Sequence, residues 1–168
     1  SKLDDNIEIQ IEKELETIQL PEKFSKINNS IRGYEVYLEY LKSVNNLKFD
    51  KFDLMIDAAN GSAYKIVEDL FTQKNAKFNL ISNNPDGKNI NQNCGTTFPE
   101  NLQRNISKGQ IGISFDGDAD RLIMIDEKKE VVNGDLLLTI LSKYLSEKGN
   151  LTGDIVVSTV MSNYGFKA

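Results

Sequence analysis

The pattern of apolar residues in the middle of the chain limits the possible folds most strongly. Asp53–Asp57 is a short run with an apolar centre, typical of a strand buried in a parallel sheet, and a helical pattern capped near Ser62 follows it. Further strands are predicted at Lys77–Ser82 and Ile111–Phe115, with a short helix, Pro99–Lys108, between them. Strands that alternate with helices predict a parallel sheet with helices on its faces.

A fourth predicted strand, Leu122–Asp126, follows Ile111–Phe115 after only six residues. So short a connection makes the two strands antiparallel neighbours. An amphipathic helix, Asp135–Glu147, comes next. The sequence therefore predicts an α/β fold over residues 50–148: an α/β/α layered domain whose mixed, mostly parallel sheet has four strands.

Both ends of the chain are predicted to lie outside this domain. Residues 1–49 carry helical patterns at 3–20 and 34–44 and are interpreted as a helical appendage between domains. Residues 149–168 are interpreted as the truncated start of the next domain, with one more strand at Ile155–Val160. The chain lacks an initiator Met, so we expect it to be a piece of a longer protein.

The composition excludes several kinds of active site and binding partner. The 168 residues include no histidine, so no imidazole base or ligand is available, and the single cysteine, Cys94, excludes an internal disulfide and a Cys-based zinc site. The net charge of −5 argues against non-specific binding to nucleic acid or to a membrane surface. No apolar run is long enough to span a membrane, and no signal peptide is visible, so we expect a cytoplasmic protein.

The strongest chemical signal is a loop directly after the third predicted strand. Its three carboxylates alternate with two small residues, which allow a tight turn that brings the carboxylates together. A hard divalent cation would relieve their repulsion, and all-oxygen ligands favour Mg²⁺, Mn²⁺ or Ca²⁺ over Zn²⁺. The carboxyl end of a parallel strand is also where open α/β sheets bind ligands. The residues of this loop are Asp116-Gly117-Asp118-Ala119-Asp120-Arg121.

Other interpretations of this loop remain open. It could be a solvated acidic turn, or part of a non-catalytic module that binds a divalent cation. It could also belong to a dehalogenase-type phosphatase with Asp116 as the nucleophile, although Asp120 stands where that family has Thr or Val. An EF-hand is rejected, because Arg121 occupies the position that needs glycine and strands flank the loop.

The same segment resembles the α-D-phosphohexomutase family, whose metal loop matches Asp116–Arg121 at every position. The resemblance extends over about residues 50–166. One further stretch resembles the loop typical of the phosphoglucosamine mutase branch, which usually has Ser in place of Thr96 and His in place of Phe98. That stretch is Pro85–Asn91 with Cys94–Glu100, and the two other matching stretches are Ile56–Tyr64 and Val160–Asn163 with Gly165.

The resemblance implies the second domain of a bacterial isomerase that interconverts glucosamine 6-phosphate and glucosamine 1-phosphate through a phosphoserine. It implies Mg²⁺ bound by Asp116, Asp118 and Asp120 together with that phosphoserine, and Arg121 as a ligand of the phosphoryl group. The family's catalytic serine lies in a Ser-His-Asn-Pro type segment, which this chain lacks. The expected partners are therefore a phosphosugar and the other domains of the same enzyme, and we expect this chain alone to be inactive.

Overall fold

The structure, a computed structural model, describes residues 3–19, 23, 31–44 and 48–157. The chain divides into two compact units, residues 1–34 and 35–168. Helix α1 (Asp5–Thr17) lies in the first unit; the carboxylate of Asp4 caps it, and its residues are exposed. Helix α2 (Ile31–Val44) follows, and its Leu38 is buried. The two helices predicted in this part of the chain are confirmed.

The second unit contains the predicted α/β fold, with a sheet of five strands in the order β2-β1-β3-β4-β5. The parallel pairs are β2 with β1 and β1 with β3, whereas β3 with β4 and β4 with β5 are antiparallel. The remaining helices are α3, α4 and α5. The bounds of these elements are β1 Asp53–Asp57, α3 Ala63–Gln73, β2 Lys77–Ile81, α4 Glu100–Asn105, β3 Ile111–Phe115, β4 Leu122–Ile125, β5 Val131–Val132 and α5 Gly134–Glu147.

Alternation along β1 sends side chains to both faces of the sheet, and each face packs against a helix. On one face, Leu54 and Ile56 pack with Val67 and Phe71 of α3. On the other face, the core consists of Met55 of β1, Ile125 of β4, and Leu102 and Ile106 of α4 and its C-terminal end. The two cores explain the three-layer arrangement predicted from the sequence.

The predicted sheet was wrong in one respect, because it lacked the two-residue strand β5. β5 pairs with β4 across the turn at residues 126–130, so the sheet has two parallel and two antiparallel pairings rather than a mostly parallel set. A run of two valines is too short to give a strand pattern, which is why the sequence analysis missed it.

The strand predicted at Ile155–Val160 is not present in its described part. Residues 155–157 are not in a strand, and the side chains of Ile155 and Val157 are largely exposed, whereas residues 158–160 lie outside the described residues. Helix α5, just before this segment, contains no buried residue.

The domain boundaries at 49/50 and 148/149 stay predictions. Within the described part of the chain, no helix is long and apolar enough to cross a membrane.

Candidate metal centre

The three aspartates predicted as metal ligands come together at the carboxyl end of β3. Asp116, Asp118 and Asp120 each offer a carboxylate oxygen, and these oxygens all lie within 4.8 Å of one another. Asp116 is buried at 2% exposure, whereas the other two carboxylates are exposed. The cluster therefore has one fixed, buried member and two members that face solvent.

The backbone of this loop is a tight turn. The N–H of Ala119 donates to the carbonyl of Asp116 at 3.2 Å, and Ala119 has a φ of 62°, a left-handed conformation that is uncommon outside glycine. The Ala119 side chain packs against the core under α3. The small residue therefore allows the turn, as predicted, and also anchors it to the core.

Arg121 forms hydrogen bonds to two of the three aspartates. Its Nε lies 2.8 Å from Oδ2 of Asp116 and 3.3 Å from Oδ1 of Asp120, and its backbone N–H donates to Oδ1 of Asp116 at 3.1 Å. Burial raises the pKa of Asp116, but the hydrogen bonds and the positive charge of Arg121 outweigh burial, so the pKa lies below its ordinary value. The pKa of Arg121 is raised by its hydrogen bond to Asp116 and by the negative charges of Asp116 and Asp120. Arg121 is therefore the cationic partner of both Asp116 and Asp120.

The donor chemistry fits a hard divalent cation. Three carboxylates in one turn supply only oxygen ligands, which suit Mg²⁺, Mn²⁺ or Ca²⁺. The side chain of Arg121 is 75% exposed, so it can move aside for a cation, whose charge would then replace that of Arg121 beside the buried Asp116. The residues that would hold the ion are Asp116, Asp118 and Asp120.

Two neighbouring turns contact this loop, and sequence reasoning missed their role. A Cβ on Gly61 would lie 2.3 Å from the carbonyl oxygen of Gly117, and one on Gly117 would lie 2.7 Å from the side chain of Ile90. Ser62 stands at the N-terminus of α3, but its side chain forms no capping bond; its N–H instead donates to the Gly117 carbonyl at 2.9 Å. The sequence signal for this contact was a pair of glycines, Gly61 in the turn before α3 and Gly117 in the loop at residues 116–121.

A buried carboxylate, Asp57, ends β1 beside this loop and was also missed. It is 0% exposed and accepts hydrogen bonds from Ala59, Gly95 and Asn101. The sequence signal was an aspartate that ends an apolar strand, a position where a charge is buried only if its hydrogen bonds are satisfied. Cys94 is buried, and burial raises the pKa of its thiol, which favours the unreactive, protonated form.

Residues 35–130 match the family model described as phosphoglucomutase/phosphomannomutase, alpha/beta/alpha domain II. The chain belongs to this family. The matched segment contains the first four of the five strands, β1–β4, and the whole loop at residues 116–121. The predicted resemblance to the phosphohexomutases is therefore confirmed.

Several curated relatives are named phosphoglucosamine mutase. One from Clostridium kluyveri is 39% identical over 98% of this chain, and one from Streptococcus sanguinis is 42% identical over 98%. The chain spans 38% of the length of each of these relatives. The subfamily predicted from the loop at residues 85–100 is thus the one to which these relatives belong.

Solved structures agree with the fold. A phosphoglucomutase/phosphomannomutase family protein from Burkholderia thailandensis aligns with a TM-score of 0.57 and 27% identity, over 68% of this chain and 26% of that one. A structure described as a phosphomannomutase from Thermus thermophilus aligns with a TM-score of 0.54 and 20% identity, over 68% of this chain and 29% of that one, and supports the fold alone.

Proposed function

We propose that this chain is the metal-binding domain of a phosphoglucosamine mutase and that Asp116, Asp118 and Asp120 hold its Mg²⁺. The observation that carries this proposal is the convergence of three carboxylates within 4.8 Å at the carboxyl end of β3. The sequence relatives supply the substrate class, because they are named phosphoglucosamine mutases. The substrate would be glucosamine 6-phosphate or glucosamine 1-phosphate.

Each residue of the loop has a separate task in this proposal. Asp116 is held by burial and by the backbone N–H of Arg121, so it fixes one ligand position before the ion arrives. Asp118 and Asp120 are exposed and complete the ligand set from the solvent side. When bound, the ion would neutralise negative charge on the transferring phosphoryl group.

Arg121 is proposed to bind the phosphoryl group. Its side chain is 75% exposed and contacts the aspartates through Nε, so the guanidinium lies at the rim of the acidic cluster. A planar guanidinium suits bidentate hydrogen bonding to a phosphoryl group. The phosphoserine that accepts and donates the phosphoryl group is proposed to come from another domain of the same enzyme, because this chain lacks a Ser-His-Asn-Pro type segment.

The alternative of a dehalogenase-type phosphatase is disfavoured by the surroundings of Asp116. A nucleophilic carboxylate needs an oxygen that can reach a phosphorus atom. Here Asp116 is 2% exposed, and one of its oxygens lies within 4.8 Å of carboxylate oxygens of Asp118 and Asp120, whose negative charges would repel an incoming phosphate. The geometry suits a fixed metal ligand better than a nucleophile.

The proposal is tested by assaying the isolated chain and the complete enzyme that contains it. The isolated chain is expected to convert neither glucosamine 6-phosphate nor p-nitrophenyl phosphate, since it lacks the catalytic serine of the Ser-His-Asn-Pro type segment. The complete enzyme, phosphorylated on its serine and supplied with Mg²⁺, is expected to form glucosamine 1-phosphate. Phosphatase turnover by the isolated chain that disappears in Asp116→Asn would favour the alternative and contradict the proposal.

A further inference from the structure

Asp57 is a buried carboxylate whose hydrogen-bond partners lie in the turn before α3, in the loop between β2 and α4, and in α4, rather than in the sheet. Its Oδ1 accepts from the backbone N–H of Ala59 at 2.9 Å, and its Oδ2 accepts from the N–H of Gly95 and from Nδ2 of Asn101, both at 3.1 Å. The side chain is 0% exposed. A charge at such depth is tolerated because neutral N–H donors surround it, and each donor is thereby fixed in place.

Oδ1 of Asp57 accepts a hydrogen bond from Ala59, which lies in the turn before α3, residues 58–62. This turn contacts the metal loop at Gly117: Ser62 donates its N–H to the Gly117 carbonyl at 2.9 Å, and Gly61 lies against the same peptide. The residue at this contact immediately follows Asp116. One oxygen of Asp57 is thus linked, through a single turn, to the C-terminal side of Asp116.

Oδ2 of Asp57 accepts a hydrogen bond from Gly95, which lies in the long loop between β2 and α4, residues 82–99. The next residue, Thr96, donates its N–H to the carbonyl of Phe115 at 3.2 Å, and a Cβ on Gly95 would lie 3.0 Å from that same oxygen. Phe115 immediately precedes Asp116. The second oxygen of Asp57 is therefore linked to the N-terminal side of Asp116.

Backbone strain is concentrated in the same turns. Left-handed φ values outside glycine cost free energy and persist where surrounding contacts determine the conformation. Ala59 and Asn60 form a consecutive left-handed pair, and Asn91 of the long loop donates to the Ala59 carbonyl at 2.9 Å. The non-glycine residues with positive φ in these turns are Ala59, Asn60, Ser82, Asn91, Asn93 and Ala119.

We propose that Asp57 is a positioning residue that holds the metal loop in its ion-binding shape through the two turns that contact the peptides on either side of Asp116. This inference rests on the proposed metal-binding function. Asp57→Asn would keep the volume and one acceptor, but its NH₂ group would face either the N–H of Ala59 or the donors of Gly95 and Asn101. One of the two links would then be lost while the packing is retained.

The test is Mn²⁺ affinity, measured on the 168-residue chain from the electron paramagnetic resonance signal of free Mn²⁺. Asp57→Asn is expected to raise the Kd for Mn²⁺ about tenfold or more, the usual cost of losing a residue that orients a metal ligand. The matched control is Asp53→Asn, at the opposite end of the same strand, where the carboxylate pairs with Lys77 and Gln110. It removes the same charge and is expected to leave the Kd within about twofold.

Thermal unfolding without metal is recorded for each variant, so that a loss of fold is recognised. If Asp57→Asn does not fold, Asn101→Ala decides the question, because it removes one donor to Oδ2 and is expected to raise the Kd about threefold. An unchanged Kd in a folded Asp57→Asn, or in Asn101→Ala, would overturn this inference alone. A chain that binds no Mn²⁺ before substitution would overturn the proposed function and this inference together.

Discussion

Asp118→Asn is expected to lower kcat of the complete mutase by at least about a hundredfold, equivalent to about 2.7 kcal/mol of transition-state stabilisation. Asp118 is exposed and belongs to the cluster of three carboxylates. The substitution removes one anionic ligand of the ion whose charge would stabilise the transferring phosphoryl group, an effect worth several kcal/mol. The measurement is steady-state conversion of glucosamine 6-phosphate in saturating Mg²⁺.

The control for this substitution is Asp69→Asn, which makes the same change of charge on α3, where Asp69 pairs with Lys65. Surface pairs of this kind contribute little, so kcat and the melting temperature are expected to stay near those of the unsubstituted enzyme. Asp118→Asn should also keep its melting temperature, because it relieves repulsion among the carboxylates. Full activity in Asp118→Asn would show that this carboxylate is not a ligand.

Gly61→Ala is expected to destabilise the chain by about 2–3 kcal/mol, the cost of forcing a methyl group into a packed site. The new Cβ would lie 2.3 Å from the Gly117 oxygen and 2.8 Å from two further backbone atoms of that residue. Backbone atoms cannot rotate away as a side chain does, so the turn before α3 or the metal loop must shift. Urea unfolding of the isolated chain measures the change in free energy.

The matched control is Gly134→Ala at the start of α5, where a Cβ would have no heavy atom within 4 Å. This change is expected to be neutral or to stabilise by up to about 1 kcal/mol, because alanine restricts the unfolded chain. Equal stabilities of the two variants would mean that Gly61 and Gly117 are not in close contact in solution.

The central strands were predictable because burial leaves a strong pattern in sequence. Leu54 and Ile56 face α3 and Met55 faces α4, so β1 needs apolar residues on both faces, and its limits were predicted correctly. The antiparallel pairing of β3 with β4 was predictable from the six-residue connection alone. Local patterns and short connections therefore made most of the topology predictable.

The candidate site was predictable only in part. Three aspartates in one loop are local in sequence, so their convergence could be inferred, and the structure brings them together. Gly61 contacts this loop from a position more than fifty residues away in sequence, and Asp57 is linked to the loop through Ala59 and Gly95. Such contacts depend on the strand order β1-β3, which puts the turn after one strand beside the loop after the other. A local pattern cannot carry that information.

The proposal that Asp116, Asp118 and Asp120 bind a divalent cation is tested most directly by the amide NMR spectrum of the isolated chain during addition of Mn²⁺. Binding is expected to be weak, because the phosphoserine ligand is proposed to lie in another domain. Even so, paramagnetic broadening should begin at the amides of residues 116–121 and spread to the neighbouring turn at 58–62. In Asp118→Asn the same additions should leave these amides sharp. Broadening centred elsewhere, or unchanged in Asp118→Asn, would contradict the metal site.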